Sequence, residues 1–128
     1  MTAGTPIRTD RAPRGTGAYS QAIRAGDLVF ISGQGPLDPE TLEVRGETVA
    51  EQTELTLRNL AAIAEAAGGT LADVVKVSAS LSSIDLFADF NAAYEKVFPE
   101  PRPARTTTGA ELRNILVEID AVLYLPRP

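Results

Sequence analysis

The chain has 128 residues, 44% of them hydrophobic and 23% charged, enough for one domain that buries about two-thirds of the surface its unfolded chain exposes. Seventeen acidic against twelve basic residues give a net charge of -5, with only Arg8, Arg11 and Arg14 scattered near the N-terminus as a basic counterweight, so nucleic acid is not an expected partner. Histidine and cysteine are both absent, which closes Ser-His-Asp and thiol catalysis, disulfides and the usual zinc hydrolase sites.

In chain order, MTAGTPIRTDRAPRG carries no apolar segment of the secretory kind, and no run approaches the ~20 apolar residues of a membrane span. The expectation is a cytoplasmic protein with no membrane contact. It forms a single domain over 1–128, with 1–12 as a flexible lead-in that includes a short edge strand at Ile7 to Thr9. Ser20 to Ala25 and the apolar run Leu28 to Ser32 read as two strands joined at Gly26-Asp27, a hairpin. GQGPLDPETLEVRGE has the glycines, prolines and acids of a surface loop. Gly33-Gln34-Gly35 is not a nucleotide loop, because Pro36 follows and no helix starts there. Asp38 with Glu40, and Asp85 with Asp89, read as solvated acids rather than a cation site.

From Thr48 the apolar period becomes helical: Val49, Thr53, Leu57, Leu60, Ile63, Ala64 and Ala67 recur at three and four. Thr48 with Glu51 makes a capping box, and Gly68-Gly69 ends the helix. In VVKVSASL, Val75, Val77, Ala79 and Leu81 alternate with Lys76, Ser78 and Ser80, a strand. A second helix runs from Ser83 to Val97 with an apolar stripe of Leu86, Phe87, Phe90, Tyr94 and Val97, and Pro99, Pro101 and Pro103 stop it. Arg105 opens a Thr-rich strand. The closing segment puts Ile115, Val117, Ile119, Ala121 and Leu123 on one face, and Glu118, Asp120 and Tyr124 on the other.

The order β-β-β-α-β-α-β-β predicts an α+β fold: a mixed six-stranded sheet with both helices packed on one face. The face carrying Glu118, Asp120, Lys76, Ser78 and Ser80 mixes polar and apolar residues too extensively to stand alone. A homo-oligomer that buries it is the expected solution.

GAYSQAI (17–23), FISGQGPLDP (30–39), EQT (51–53), NLAAIAEAAG (59–68), VVKVSASL, FADFNAAYEKVF and PRPARTT resemble, in order and spacing, the YjgF/YER057c/UK114 family. This is also called the RidA family of enamine/imine deaminases. The resemblance implies a chorismate-mutase-like fold, a homotrimer with sites in the clefts between subunits, and no cofactor or metal. It implies that Arg105 binds the substrate carboxylate and Glu118 serves the hydrolytic water. Tyr19, Ser32, Gly33 and Asn91 match positions that line the cleft, and Thr107 stands where the family often has cysteine. The implied substrates are short 2-imino acids and 2-aminoacrylate-type enamines, hydrolysed to 2-oxo acids and ammonia. A guanidinium fork holds a carboxylate by two parallel bonds, and a positioned carboxyl group can direct water and protons.

The segment between Arg105 and Glu118 departs from the family pattern. Leu112 is followed by Arg113 instead of proline, and the interval is about two residues shorter. The expectation is that the chain turns through Thr108 to Asn114 into an adjacent strand, with Gly109 taking the unusual backbone conformation, and that substrate preference shifts accordingly. Two other function classes compete: a trimer that binds small carboxylates without turnover, and an endoribonuclease, which the absent histidine and acidic balance disfavour.

Overall fold

The computed structural model describes residues 4–127. Six strands form one sheet in the order β1-β2-β3-β6-β4-β5. These are β1 (Thr5–Ile7), β2 (Ala22–Ala25), β3 (Leu28–Gln34), β4 (Val74–Leu81), β5 (Ala104–Gly109) and β6 (Val117–Tyr124). Only β4 and β5 are parallel. Helices α1 (Val49–Ala66) and α2 (Phe87–Val97) cover one face, so the mixed sheet with two helices on one side is the observed architecture. Part of the expected flexible lead-in is tied down: β1 pairs with β2, and Ala12 is buried.

The alternation in β6 decides which face each residue serves. Val117, Ile119, Ala121 and Leu123 are buried, while Glu118, Asp120 and Tyr124 are exposed. Burying the first set under Leu57, Leu60, Ile63 and Phe90 forms the core, each large side chain contributing about 1.5–3 kcal/mol. The opposite face lies open in the protomer and holds Leu28, Phe30, Val75 and Tyr124, all more than a third exposed, beside Lys76, Ser78, Glu118 and Asp120.

Helix α1 begins as its sequence dictates. The Thr48 side chain accepts from the Glu51 amide, the Glu51 carboxylate accepts from the Thr48 amide, and the helix ends before Gly68 at φ +94°. Two α1 amides then fix loops. Gln52, almost fully buried, donates to the Gly46 carbonyl (3.0 Å) and accepts from the Leu116 amide (2.8 Å). Asn59 donates to the carbonyls of Gly35 and Leu37, both at 3.0 Å.

Two details of the closing segment differ from expectation. The chain leaving β5 does not enter an adjacent strand, because β4 lies between β5 and β6. The connection instead crosses the end of β4, tied there by the Ala110 amide donating to the Leu81 carbonyl (2.8 Å) and the Ser82 amide to the Leu116 carbonyl (3.0 Å). The left-handed residue is Asn114 (φ 56°), not Gly109, which ends β5 as ordinary strand. An asparagine tolerates that conformation better than most side chains.

Candidate functional site

Register settles the relation between Arg105 and Glu118. Arg105 is the β5 partner of Val77, which is buried under the helices. Glu118 is the β6 partner of Ser80, one of the residues that alternate to the opposite face. Partners directly across a ladder share a face. In one protomer, therefore, Arg105 projects to the helix side of an edge strand and Glu118 to the open side, and no single carbon reaches both.

The residues anticipated from sequence divide into two half-sites accordingly. On the helix side, Arg105 and Asn91 line one recess together with Tyr94, Glu95, Arg102 and Pro103. The guanidinium carbon of Arg105 lies 4.6 Å from the ring centre of Tyr94, 5.4 Å from Phe90 and 5.5 Å from Phe87. Three rings from successive turns of α2 thus cradle one cation, which a planar guanidinium suits better than an ammonium. Among the described residues Arg105 makes no ion pair, whereas Arg102 is engaged by Glu100 at 2.6 Å. Thr107, two residues along the same strand face, has a buried hydroxyl without a hydrogen-bond partner among the described residues. Burial pushes the Tyr94 phenol above its ordinary pKa, against the opposing pull of the Arg105 and Arg102 charges.

On the open side, Tyr19, Ser32, Gly33 and Glu118 line a second groove with Ile31 and Asp120. A bulge in β3 between Ile31 and Gln34 places the Ser32-Gly33 backbone beneath the Glu118 side chain. A Cβ on Gly33 would sit 3.0 Å from Glu118 Oε1, so glycine gives the carboxylate room to lie across the strand. The Ser32 hydroxyl donates to the Ser20 carbonyl (2.6 Å), and the Ser32 amide donates to the Gln21 carbonyl (2.9 Å). Ser32 thereby anchors the loop that presents Tyr19, and its hydroxyl proton is already committed. Tyr19 is 53% exposed, its ring resting against Gly15 and Gly17. Partial burial raises the Asp120 carboxyl above its usual range, with the nearby Lys76 charge opposing.

Some motif residues prove to be structural. Gln21 of GAYSQ is buried and binds the 9–13 segment. It accepts from the Thr9 amide at 2.8 Å and donates to the carbonyls of Thr9, Ala12 and Pro13 at 3.0, 3.3 and 3.0 Å. Asp38 accepts from the Glu40 and Thr41 amides, and these bonds, with the Arg45 charge, hold its carboxyl below its ordinary pKa. The aromatic cradle is not legible as functional in the sequence alone. Phe87, Phe90 and Tyr94 read simply as an apolar stripe, although their spacing ahead of a lone strand arginine was the available signal.

The family model described as Endoribonuclease L-PSP matches residues 9–125. The chain belongs to this YjgF/YER057c/UK114, or RidA, family. The Reactive Intermediate Deaminase A of Arabidopsis thaliana is 40% identical over 93% of this chain and 65% of its own length. The crystal structure of RidA from the Antarctic bacterium Psychrobacter sp. PAMC 21119 is 42% identical and superposes with a TM-score of 0.87, covering 94% of this chain and 99% of that one. A solved Thermotoga maritima structure, also 42% identical, gives 0.90 over 96% and 98%. No helix among the described residues of this RidA-family protein is long and apolar enough to cross a membrane.

Proposed function

We propose that this protein hydrolyses short 2-imino acids and 2-aminoacrylate-type enamines to 2-oxo acids and ammonia, at sites between the subunits of a homotrimer. The observation that carries the proposal is the Arg105 guanidinium, fixed over three aromatic rings at a sheet edge and lacking a carboxylate partner among the described residues. A cation so placed is preorganised for an anionic ligand. Glu118 on the open face supplies the complementary half when the edge of one copy is set against the open face of the next. That arrangement also covers Phe30, Val75 and Tyr124, which the protomer leaves exposed. Similarity to the Arabidopsis deaminase supports the reaction class.

In this mechanism Arg105 holds the substrate carboxylate bidentately, with Asn91 and Thr107 beside it. Glu118 of the neighbouring copy directs a water at C2 and takes its proton as the C–O bond forms. Glu118 relays that proton to the imine nitrogen to give the carbinolamine, then takes the hydroxyl proton as the C=O bond forms and passes it to the nitrogen as the C–N bond breaks, so that ammonia leaves carrying both protons of the water. Tyr19 and the Gly33 backbone bound the reacting centre. An enamine first gains a proton at its terminal carbon and gives one up from nitrogen, which yields the same imine. Positioning and acid-base help of about 10²–10⁴-fold suffice for so labile a bond.

The test is to generate 2-aminoacrylate or 2-iminobutanoate in place with a dehydratase and time oxo-acid release, alongside light scattering. A trimer and accelerated release are expected. A stable monomer, or tight oxo-acid binding without acceleration, refutes the proposal, and the latter result favours a carboxylate-binding module. A salt-sensitive RNA gel shift would favour the endoribonuclease reading.

A further inference from the structure

A third cavity, of about 340 Å³, adjoins the Glu118 groove and shares Tyr19 with it. Its lining includes Arg8, Asp10, Arg14, Gly15 and Gln21. Its volume lies at the small end of the range for ligand pockets, about 300–1,000 Å³. Gln21 has its side-chain amide committed to the 9–13 backbone, so the cavity's charged donors are the two arginines, beside the hydroxyls of Thr9, Tyr19 and Ser20. Among the described residues neither Arg8 nor Arg14 makes an ion pair, whereas Arg11 between them is held by Glu65 at 2.9 Å. Asp10 offsets one of the two charges and leaves the cavity net positive. This local sign runs against a chain of net charge -5 and against the groove next door, which is lined by Glu118 and Asp120.

The Tyr19 ring connects the two spaces. It packs against Gly15 and Gly17, and a Cβ added at either would lie 3.1 Å from ring carbons. Glycines at these positions let the ring lie close to its own loop, so that Tyr19 forms the common wall, with Arg14, next to Gly15, lining the cavity. A ligand centred over Glu118 and extended past Tyr19 enters the space that Arg8 and Arg14 line. A neutral side chain gains nothing there, whereas a carboxylate gains charge-assisted bonds from guanidinium forks.

We propose that Arg8 and Arg14 form a subsite for a second carboxylate, so that the site accepts dicarboxylic 2-imino acids, of aspartate or glutamate chain length, in preference to monocarboxylic ones. The proposal rests on the deaminase reading above and adds its substrate class. Arg105 holds the carboxylate beside the imine, Glu118 serves C2, and the side-chain carboxylate passes Tyr19 to the arginines.

The experiment uses the assembled protein and the stable product analogues 2-oxoglutarate and 2-oxobutanoate, titrated calorimetrically. Wild type is expected to bind 2-oxoglutarate at least tenfold more tightly, and Arg14→Ala and Arg8→Ala each to lose most of that preference. Arg14→Glu is expected to reverse it. Loss of both ligands in Arg105→Ala locates the shared anchor. Equal affinities in wild type, or a preference that survives in the Arg8→Ala, Arg14→Ala double variant with intact assembly, overturns the subsite while leaving the deaminase reading in place. Failure of wild type to bind either oxo acid overturns both. Inorganic phosphate is the remaining probe: if it binds without weakening 2-oxoglutarate, the cavity is an independent anion site and the proposal falls.

Discussion

Replacing Gly33 with alanine tests whether the position of the Glu118 carboxylate limits the reaction. The added Cβ would stand 3.0 Å from Glu118 Oε1, 3.1 Å from Cδ and 3.3 Å from Cγ. The closest of these falls about 0.5 Å short of the ~3.5 Å at which non-bonded heavy atoms attract best. Glu118 is exposed and free to turn away, and Gly33 is not among the residues with positive φ, so the backbone accepts alanine. The relief costs little stability: the contact loss is offset by the ~0.5–1 kcal/mol that alanine gains over glycine in a strand. Catalysis is less tolerant. A 1 Å misplacement costs about 10²-fold in rate, so half that displacement predicts roughly tenfold in kcat. KM should change little, because Arg105, the proposed carboxylate anchor, lies on the other face. The assay is oxo-acid release from 2-iminobutanoate generated in place, with urea unfolding as the folding control and Gly35→Ala as comparison, since its Cβ would meet Ile115 at 3.2 Å and not Glu118. An unchanged kcat in a folded Gly33→Ala protein would show that the carboxylate need not lie where this strand puts it.

Other expectations follow from the same geometry. Arg105→Lys keeps the charge but loses the fork and its fit to three rings; a loss of about 1.5–3 kcal/mol in transition-state stabilisation, roughly ten- to 150-fold in kcat/KM, is expected, and activity equal to wild type would remove Arg105 as the anchor. Gln52→Ala orphans the Gly46 carbonyl and the Leu116 amide at once and should cost about 2–4 kcal/mol in urea unfolding, with both loops exchanging amide protons faster. Thr48→Ala should cost about 1 kcal/mol through the lost N-cap. Backbone bonds from Glu47 and Thr48 hold the Glu51 carboxyl below its ordinary 4.5. Its share of stability is therefore fully present above pH ~4.5 and fades as the pH falls through the lower folded value, so Glu51→Gln should flatten the acid limb of a thermal-melt profile.

Patterns contained within one element were legible in the sequence. The spacing of Val49, Leu57, Leu60 and Ile63 specified α1, the Thr48–Glu51 pair its start, and the alternation from Val117 to Leu123 the buried side of β6. Relations between elements were harder to read. Nothing local says that β4 separates β5 from β6, and so nothing local says which way Arg105 faces; that depends on its pairing with Val77. The extension of β3 through Gln34 was hidden by the bulge that breaks its alternation, the same irregularity that sets Gly33 under Glu118. Phe98 fell outside the expected α2 because Pro99 follows it, yet it is buried and stacks on Tyr94 at 4.7 Å. The motif amides of Gln21, Gln52 and Asn59 gave no sign of which loops they would hold, since their partners lie between six and 64 positions away.

The placement of Arg105 and Glu118 on opposite faces has a genetic corollary. A site that draws one group from each of two chains can be rebuilt from two defective copies. In the proposed trimer, co-expressed Arg105→Ala and Glu118→Gln chains would each be inactive alone, yet random assembly would leave about a quarter of the contacts with an intact arginine facing an intact glutamate. Such a pair of alleles would complement, and a chain carrying both changes would instead poison its wild-type neighbours, disabling sites on both of its flanks.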